Sequence, residues 1–265
     1  MDIFKRSLAP VSSEAWEEIE EEAKDVLDLK LTGRKVVDLK GPYGLDFAAV
    51  NNGRSEAIDG EVGGVEYKRR LTTPAVEIKV PFTLEIEELD KADRGAPDVE
   101  LDPVIDAADK LAAAENSIIF HGQSTSGLEG IISASEHETF SISDQIEKIM
   151  SQLARAKEKL FDEDIGGPYS LLLSPELFTC LFEYNDRGYP VQKRIASLLG
   201  NEPLHVPGLE SNGVLMPQNS DDFELFIGQD TTIGYEGVSD DKVELYLFES
   251  LSFRINAPEA AVVLD

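Results

Sequence analysis

Apolar residues recur every three or four positions in the segment that follows the first dozen residues. This spacing predicts an amphipathic helix over residues 13–31. Its apolar stripe consists of Trp16, Ile19, Ala23, Val26, Leu27 and Leu31. Glutamates fill the early turns, where negative charge favours the helix dipole, and Gly33 follows the end, where glycine often terminates a helix. Helices that lie on lipid are usually basic, so this acidic helix is expected to pack on protein.

Strict alternation of apolar and polar residues predicts a strand over residues 76–87. Pro81 lies within it and cannot donate a ladder hydrogen bond, which indicates an edge strand or a bulge. The other predicted strands cover residues 34–40, 169–173, 214–215, 223–227, 243–255 and 260–264.

Further helices are predicted at four places. The pair Asp102-Pro103 is a strong helix start, and the apolar spacing continues to a stop before Gly122. The remaining helices are predicted at residues 144–161, from Ser174-Pro175 onward, and at 190–199. Helices and antiparallel strands are segregated along the chain rather than alternating, so the predicted fold class is α+β.

A polar, glycine-rich stretch over residues 46–71 lacks a dense apolar pattern. Asn51-Asn52-Gly53 and Gly63-Gly64 are turn signals, and the segments around them are short and strand-like. We therefore expect a long two-stranded arm. Because an isolated hairpin is marginally stable in water, such an arm needs another surface to lie on.

The charge of the chain excludes several classes of function. The 265 residues include 52 Asp and Glu against 24 Lys and Arg, a net charge of −28. Such a surface repels phosphate backbones, so we expect no nucleic-acid partner. No apolar run approaches the roughly twenty residues of a membrane span, and no apolar segment follows Lys5 and Arg6. We therefore expect no membrane partner and a cytoplasmic location, which a lone cysteine also favours.

Candidate catalytic chemistry is sparse. The three histidines are far apart and have no ligand spacing, so we expect no metal site. Neither a nucleophile elbow nor a dinucleotide-binding glycine pattern occurs, and we expect no catalytic residues. Cys180 is predicted to be a buried, inert thiol on the apolar side of a short helix. These observations favour an assembly subunit over an enzyme.

Short segments throughout the chain resemble the encapsulin shell proteins. The matching segments are Phe4-Lys5-Arg6-Ser7-Leu8-Ala9-Pro10, Gly33-Arg34-Lys35, Gly41-Pro42-Tyr43-Gly44, Gly167-Pro168-Tyr169, Gly188-Tyr189-Pro190, Gly228-Gln229-Asp230 and Ile233-Gly234-Tyr235-Glu236. Each segment is short, but they occur in the family's order over essentially the whole chain.

The resemblance implies the fold of tailed-phage major capsid proteins and a closed icosahedral shell of roughly sixty copies. It implies an N-terminal helix and arm over residues 1–45 and an extended loop over 46–75. A peripheral domain with a spine helix would comprise 76–133 and 223–265, and an axial domain would comprise 134–222. The shell would enclose a ferritin-like iron-storage enzyme or a dye-decolorizing peroxidase, held through a C-terminal targeting peptide.

The resemblance also implies two sites. The cargo-peptide site would consist of Leu27, Leu31, Arg34, Asp38, Asp230, Ile233 and Tyr235. Its apolar members would contact peptide side chains, and its charged members would hydrogen-bond an extended backbone. A pore loop at the fivefold axis would consist of Glu183, Tyr184, Asn185, Asp186, Arg187, Gly188 and Tyr189. Some encapsulins are associated with a flavin, but residues 85–88 lack the expected aromatic side chain, so we expect no cofactor.

Several alternatives remain open on the sequence. Arg34 and Asp38 could form a local structural pair, with the leucines as ordinary core. The chain could be the capsid protein of a virus or a defective prophage, although it lacks a basic N-terminal tail for packaged nucleic acid. A protease or bacteriocin-like factor is a third reading that no nucleophile motif or export signal supports. The acidity fits either a saline environment or a surface kept acidic for solubility.

Overall fold

The computed structural model describes residues 2–60, 62–142, 148–183, 185–186, 189–210 and 212–265. The helices are α1 Ser13–Lys30, α2 Ile86–Asp93, α3 Asp102–His121, α4 Ile131–Ala134, α5 Ile149–Asp162, α6 Pro175–Glu183 and α7 Val191–Leu199. The first strands are β1 Val37–Lys40, β2 Ala49–Ile58, β3 Tyr67–Pro74, β4 Val76–Glu85, β5 Gly122–Gln123, β6 Leu128–Glu129 and β7 Tyr169–Leu173. The remaining strands are β8 Asn185–Asp186, β9 Tyr189–Pro190, β10 Leu204–His205, β11 Gly213–Pro217, β12 Ser220–Ile227, β13 Thr232–Ser239, β14 Lys242–Ile255 and β15 Val262–Leu264.

The larger sheet is built around β14. On one side β14 pairs with β4, and on the other side it pairs first with β13 and then with β12. Since β4 has no second partner among the described strands, the edge position predicted from Pro81 is confirmed. β1 joins β12 in parallel, so the expectation of purely antiparallel strands is wrong for this sheet. α1 and α3 cover the sheet and share its apolar core.

The smaller sheet has the order β10-β7-β11-β15. Every residue of β7 is buried, and α5, α6 and α7 pack their apolar faces around it. β10 is parallel to β7, which again makes the sheet mixed. The helix predicted from residue 144 is described from Ile149, because residues 143–147 lie outside the described part of the chain. Cys180 is exposed on α6, so the prediction of a buried thiol is wrong.

The element boundaries depart from the sequence predictions at several places. The predicted strand 34–40 begins three residues late, since Gly33–Lys35 form a 3-10 turn. The predicted strand 76–87 ends at Glu85, and α2 begins at Ile86 because its buried residues, Leu89 and Ala92, follow a helical spacing. β13 is absent from the predicted strands.

The predicted two-stranded arm is confirmed. β2 and β3 pair antiparallel, with a register irregularity between Asn51 and Ser55. Among the described residues, every one from Gly53 to Arg70 is exposed. We call residues 46–75 the hairpin. None of the helices in the described ranges combines the length and the apolar content that a bilayer crossing requires.

Candidate ligand groove and assembly surfaces

A groove of about 330 Å³ lies between α1 and the start of β13. Its apolar wall consists of Ala23, Leu27, Leu31, Ile233 and Leu247. Ala23 and Leu27 of α1 and Leu31, which directly follows it, are four positions apart and therefore lie on one face. Ile233 and Leu247 are directly paired across β13 and β14. The groove thus exposes a narrow strip of the same apolar layer that joins α1 to the sheet.

The turn that follows α1 forms one end of this groove. We call this end, where Arg34 meets Glu115, Asp230 and Glu249, the groove head. The Asn116 side chain on α3 accepts a hydrogen bond from the Gly33 amide at 2.9 Å and donates to the Lys30 carbonyl at 2.9 Å. A Cβ at Gly33 would lie 2.5 Å from the Ile119 Cδ1 atom, so the close approach of this turn to α3 requires glycine. The next residue, Arg34, is thereby directed to the groove head.

Arg34 is held by three carboxyl groups from three different elements. Its Nε donates to both carboxyl oxygens of Glu115, at 3.0 and 2.9 Å. Its Nη2 lies 2.7 Å from Glu115 Oε2 and 2.5 Å from Glu249 Oε1. Its Nη1 donates to Asp230 Oδ1 at 2.9 Å. The side chains of Glu115 and Glu249 are fully buried, whereas that of Asp230 is 52% exposed.

Burial and neighbouring charges both shift the pKa values of this cluster. Burial alone would lower the pKa of Arg34, but the surrounding carboxyl groups outweigh burial and keep the pKa above its ordinary value. Burial raises the pKa of Glu249 well above its usual range, and the neighbouring Glu115 raises it further. A guanidinium has five N–H groups, and one N–H of Nη1 is used by Asp230. One N–H on Nη1 therefore remains for a ligand.

The edge of β13 offers backbone groups to the same groove. The Tyr235 amide points away from β14, since it donates to the Phe4 carbonyl at 2.8 Å. Backbone groups alternate in direction along a strand, so the Ile233 amide and carbonyl also point away from β14. The described residues provide them with no backbone partner. An extended peptide could add to β13 at this position.

Residues 2–9 close the other end of the groove. The Phe4 ring packs on Phe248 with centroids 5.6 Å apart. Arg6 lines the groove, lies 4.4 Å over the Trp16 ring and forms an ion pair with Glu20. The open length of the β13 edge is therefore confined between Arg6 and Arg34.

The groove brings together five of the seven residues assigned to the cargo site, namely Leu27, Leu31, Arg34, Asp230 and Ile233. Asp38 does not line it, and its carboxylate accepts from Lys40 at 2.8 Å. Tyr235 is half-buried two residues beyond Ile233 and packs against the core. In the described structure Arg34 bonds to Glu115, Glu249 and Asp230 rather than to Asp38.

Sequence reasoning missed Glu115 and Glu249. A signal for Glu115 is present, because it lies four residues from both Leu111 and Ile119 on the buried face of α3. A carboxylate in an apolar stripe needs a cationic partner. Glu249 carries a similar signal, because it takes an inward position between Leu247 and Leu251 in the alternation of β14.

The base of the hairpin is attached to the larger sheet by a second ionic cluster. Arg254 donates from Nη1 to the Asn51 carbonyl at 3.1 Å and from Nε to Glu224 at 2.9 Å. Lys40 also reaches Glu224, at 3.1 Å. Burial alone would raise the pKa of Glu224, but hydrogen bonds from Asn256, Arg254 and Lys40 outweigh it and lower the pKa.

The distal hairpin has no such support. Its exposed apolar side chains are Ile58, Val62, Val65 and Tyr67. Beside them β3 presents Lys68, Arg69 and Arg70, and of these Arg69 pairs with Glu56 at 2.5 Å. Apolar and cationic groups exposed together on so acidic a chain are typical of a surface that another protein covers.

The predicted pore loop is described only in part. Glu183 is exposed at the end of α6, and the backbones of Asn185–Asp186 and Tyr189–Pro190 pair as two short strands. Tyr184, Arg187 and Gly188 lie outside the described residues. In the described ranges, His, Cys, Asp and Glu side chains nowhere gather as three metal ligands.

Known proteins resemble this chain along nearly its whole length. The family model described as "Encapsulating protein for peroxidase" matches residues 1–252. The type 1 encapsulin shell protein of Rhodospirillum rubrum is 40% identical over 271 residues, covering 100% of this chain and 96% of the relative.

Solved structures support the fold. A virus-like particle from Pyrococcus furiosus matches with a TM-score of 0.66 at 19% identity, over 94% of this chain and 98% of that one. The capsid of Myoviridae phage XM1 matches with a TM-score of 0.53 at 10% identity, over 88% and 90%. The capsid-protein fold expected from the sequence is therefore confirmed.

Proposed function

The chain belongs to the family of encapsulating proteins that contains the type 1 encapsulin shell proteins, and on that premise we propose that it is a structural subunit of a closed protein compartment. The observation that carries the proposal is the family match along the chain together with a hairpin that lacks a core of its own. Roughly sixty copies would form an icosahedral shell in the cytoplasm. The chain is a shell subunit and not an enzyme.

Assembly would depend on the hairpin. The described residues of its distal part bury no side chain within the subunit, so its apolar and cationic groups would gain stability only against a neighbouring copy. Residues 76–133 and 223–265 would form the peripheral domain, and residues 134–222 the axial domain near the symmetry axes. Glu183 and its neighbours would line an opening there.

The groove between α1 and β13 would bind a cargo protein on the inner wall. An extended C-terminal peptide would place its apolar side chains against Leu27 and Leu31 and its backbone along Ile233. The free Arg34 N–H would donate to a peptide carbonyl, and the exposed Asp230 carboxylate would accept from a peptide amide. Many identical weak sites would hold a multimeric cargo by avidity.

The cargo would be a peroxidase or a ferritin-like iron-storage enzyme. Its identity is tested by isolating shells from the source organism and identifying the enclosed proteins by mass spectrometry. Nuclease-protected DNA in place of protein would favour the alternative of a viral or prophage capsid, which the fold alone does not exclude.

Cargo docking is tested by co-expressing that enzyme with groove variants. Ile233→Asp places a charge on the apolar wall, and Lys24→Trp fills the groove from its exposed rim without touching the core. Empty but intact shells are expected for both. Asp38→Ala is the matched control, since Asp38 lies outside the groove and should load normally. Normal loading by both groove variants would contradict the assignment.

A further inference from the structure

The cluster around Arg34 has more buried negative charge than positive charge. Glu115 and Glu249 are both fully buried, and the side chain of Arg34 is 15% exposed. If both carboxyl groups were ionised, one buried negative charge would lack a counterion, because Asp230 is itself an acid. An uncompensated buried charge costs several kcal/mol. Two carboxyl groups that share one site avoid this cost when one of them keeps its proton.

The two carboxyl groups are not equivalent. Glu115 receives three contacts from Arg34, at 2.7, 2.9 and 3.0 Å. Glu249 receives one contact from Arg34 and one, at 3.3 Å, from the hydroxyl group of Thr231. Glu115 is therefore the better stabilised anion, and Glu249 is the better place for a proton.

The charged surroundings of Glu249 come from three elements. Arg34 faces it from the turn after α1, Glu115 from α3, and Asp230 from the link between β12 and β13. On β4 the residue paired with Glu249 is the apolar Ile78. No second cation appears among these neighbours in the described structure, so Arg34 has to serve both buried carboxyl groups.

We propose that Glu115 and Glu249 hold one proton between them and act as positioning residues that fix Arg34 at the groove head. This inference rests on the proposed function where it concerns the ligand, because Arg34 and Asp230 are the groups offered to a docked peptide. With the proton in place, the buried unit is neutral and Arg34 is held rigidly. When the proton is lost, the unit gains a buried negative charge, and the wall of the groove loses stability.

Infrared spectroscopy of assembled wild-type shells tests the shared proton without a ligand. At neutral pH we expect the carbonyl band of a protonated carboxyl group, which should disappear when alkaline pH removes the proton. Glu249→Gln should lack the band. Glu85→Gln is the matched control, because Glu85 is an exposed, ion-paired glutamate and its loss should leave the band in place. Absence of the band from wild-type shells at neutral pH would overturn the proposal.

Stability gives a second, independent readout. The thermal midpoint of wild-type shells, relative to that of Glu249→Gln, should fall as the pH rises above the ordinary glutamate pKa of 4.5, and the variant should exceed wild type at the alkaline end. If both carboxyl groups are ionised in the folded chain, the difference between the two midpoints should not change with pH above that value. That result would also overturn the proposal.

Cargo loading reports on positioning. Glu249→Gln mimics the protonated group and should load like wild type, whereas Glu115→Gln loosens Arg34 and should lower loading. Equal loading by both variants would exclude a positioning role. If wild-type shells carry no protein, the proposed docking function fails, while the infrared and thermal measurements still decide the state of the pair.

Discussion

The hairpin and the groove head differ in where their polar and apolar groups find partners. From Gly53 to Arg70 the described hairpin residues are exposed, and a single residue at its base, Val50, is counted in the core. At the groove head, three segments other than its own converge on Arg34, and two carboxyl groups are completely buried there. The described hairpin residues therefore lack packing partners within the subunit, whereas the charged groups at the groove head have their partners there.

This difference separates a surface for assembly from a site for a ligand. A hairpin without a core gains little from folding alone, so its stability has to come from a neighbouring copy. A site with nearly all of its hydrogen bonds satisfied is rigid and leaves few groups for a partner. At the groove head these are one N–H of Arg34, the exposed carboxylate of Asp230 and the edge of β13.

Removing the hairpin should have the largest effect on assembly. Replacing residues 52–72 with a short glycine-serine link leaves Val50 and the β14 contacts in place. We expect folded monomers or small oligomers with near-native circular dichroism and no closed shells, as measured by native mass spectrometry and electron microscopy. Closed shells at the same protein concentration would show that the hairpin is not an assembly surface.

Removing the cation at the groove head should have the largest effect on the stability of the subunit. Arg34→Ala leaves Glu115 and Glu249 without a counterion and is expected to cost about 3–5 kcal/mol. The measurement is the thermal midpoint at neutral pH. Arg6→Ala is the control, because Arg6 lies at the exposed end of the same groove and pairs with the exposed Glu20. Similar midpoints for the two variants would contradict the claim that the buried cation Arg34 stabilises the subunit more than the exposed Arg6.

The two ionic clusters should respond to pH in opposite directions. The pKa of Glu224 is lowered in the folded chain, so its stabilising effect is present above the ordinary value of 4.5 and is lost as the pH falls through the folded value. Glu249 has a raised pKa, and its effect is lost as the pH rises. Hydrogen exchange should therefore increase first at the hairpin base in acid and first at the groove head in alkali. Exchange that changes in the same direction at both places would refute the assignment.

Loosening the hairpin base should have a moderate effect. Arg254→Ala removes the hydrogen bond to the Asn51 carbonyl and one partner of Glu224, at a cost of about 1–3 kcal/mol. We expect a higher protein concentration for half-maximal assembly, measured by light scattering, with the subunit still folded. An unchanged assembly curve would mean that the neighbouring copy alone sets the hairpin's orientation.

The smallest expected effect concerns the pore. Five copies of Glu183 and Asp186 around a narrow opening would raise the local cation concentration. Changing both to the neutral amides should slow ferrous-ion entry into ferritin-loaded shells, most clearly at low salt, where screening is weak. Entry rates that stay unchanged at low ionic strength would show that the loop does not promote cation entry.

The sequence predicted those elements whose signal lies within one continuous segment of the chain. α1, α3 and β14 follow from periodic apolar patterns, and the hairpin follows from its turn residues and low apolar content. β13 lacked such a signal because two of its eight residues are glycines. One of them, Gly234, is required by the Tyr246 ring, since a Cβ there would lie 2.2 Å from the ring.

The candidate site was predictable only through family resemblance. That resemblance named Leu27, Leu31, Arg34, Asp230 and Ile233, which the groove brings together, and also Asp38, which it does not. The partners of Arg34 lie 81 and 215 residues away along the chain, so no local pattern could connect them. Their charge balance became evident only from burial and distances.

A single-particle reconstruction of shells purified with their cargo would locate both the hairpin and the groove. We expect a closed shell in which each hairpin lies across a neighbouring subunit. The groove between α1 and β13 should face the interior and contain extended peptide density beside Ile233 and Arg34. A shell with that groove on its outer surface, or with hairpins that touch no neighbouring copy, would contradict these expectations.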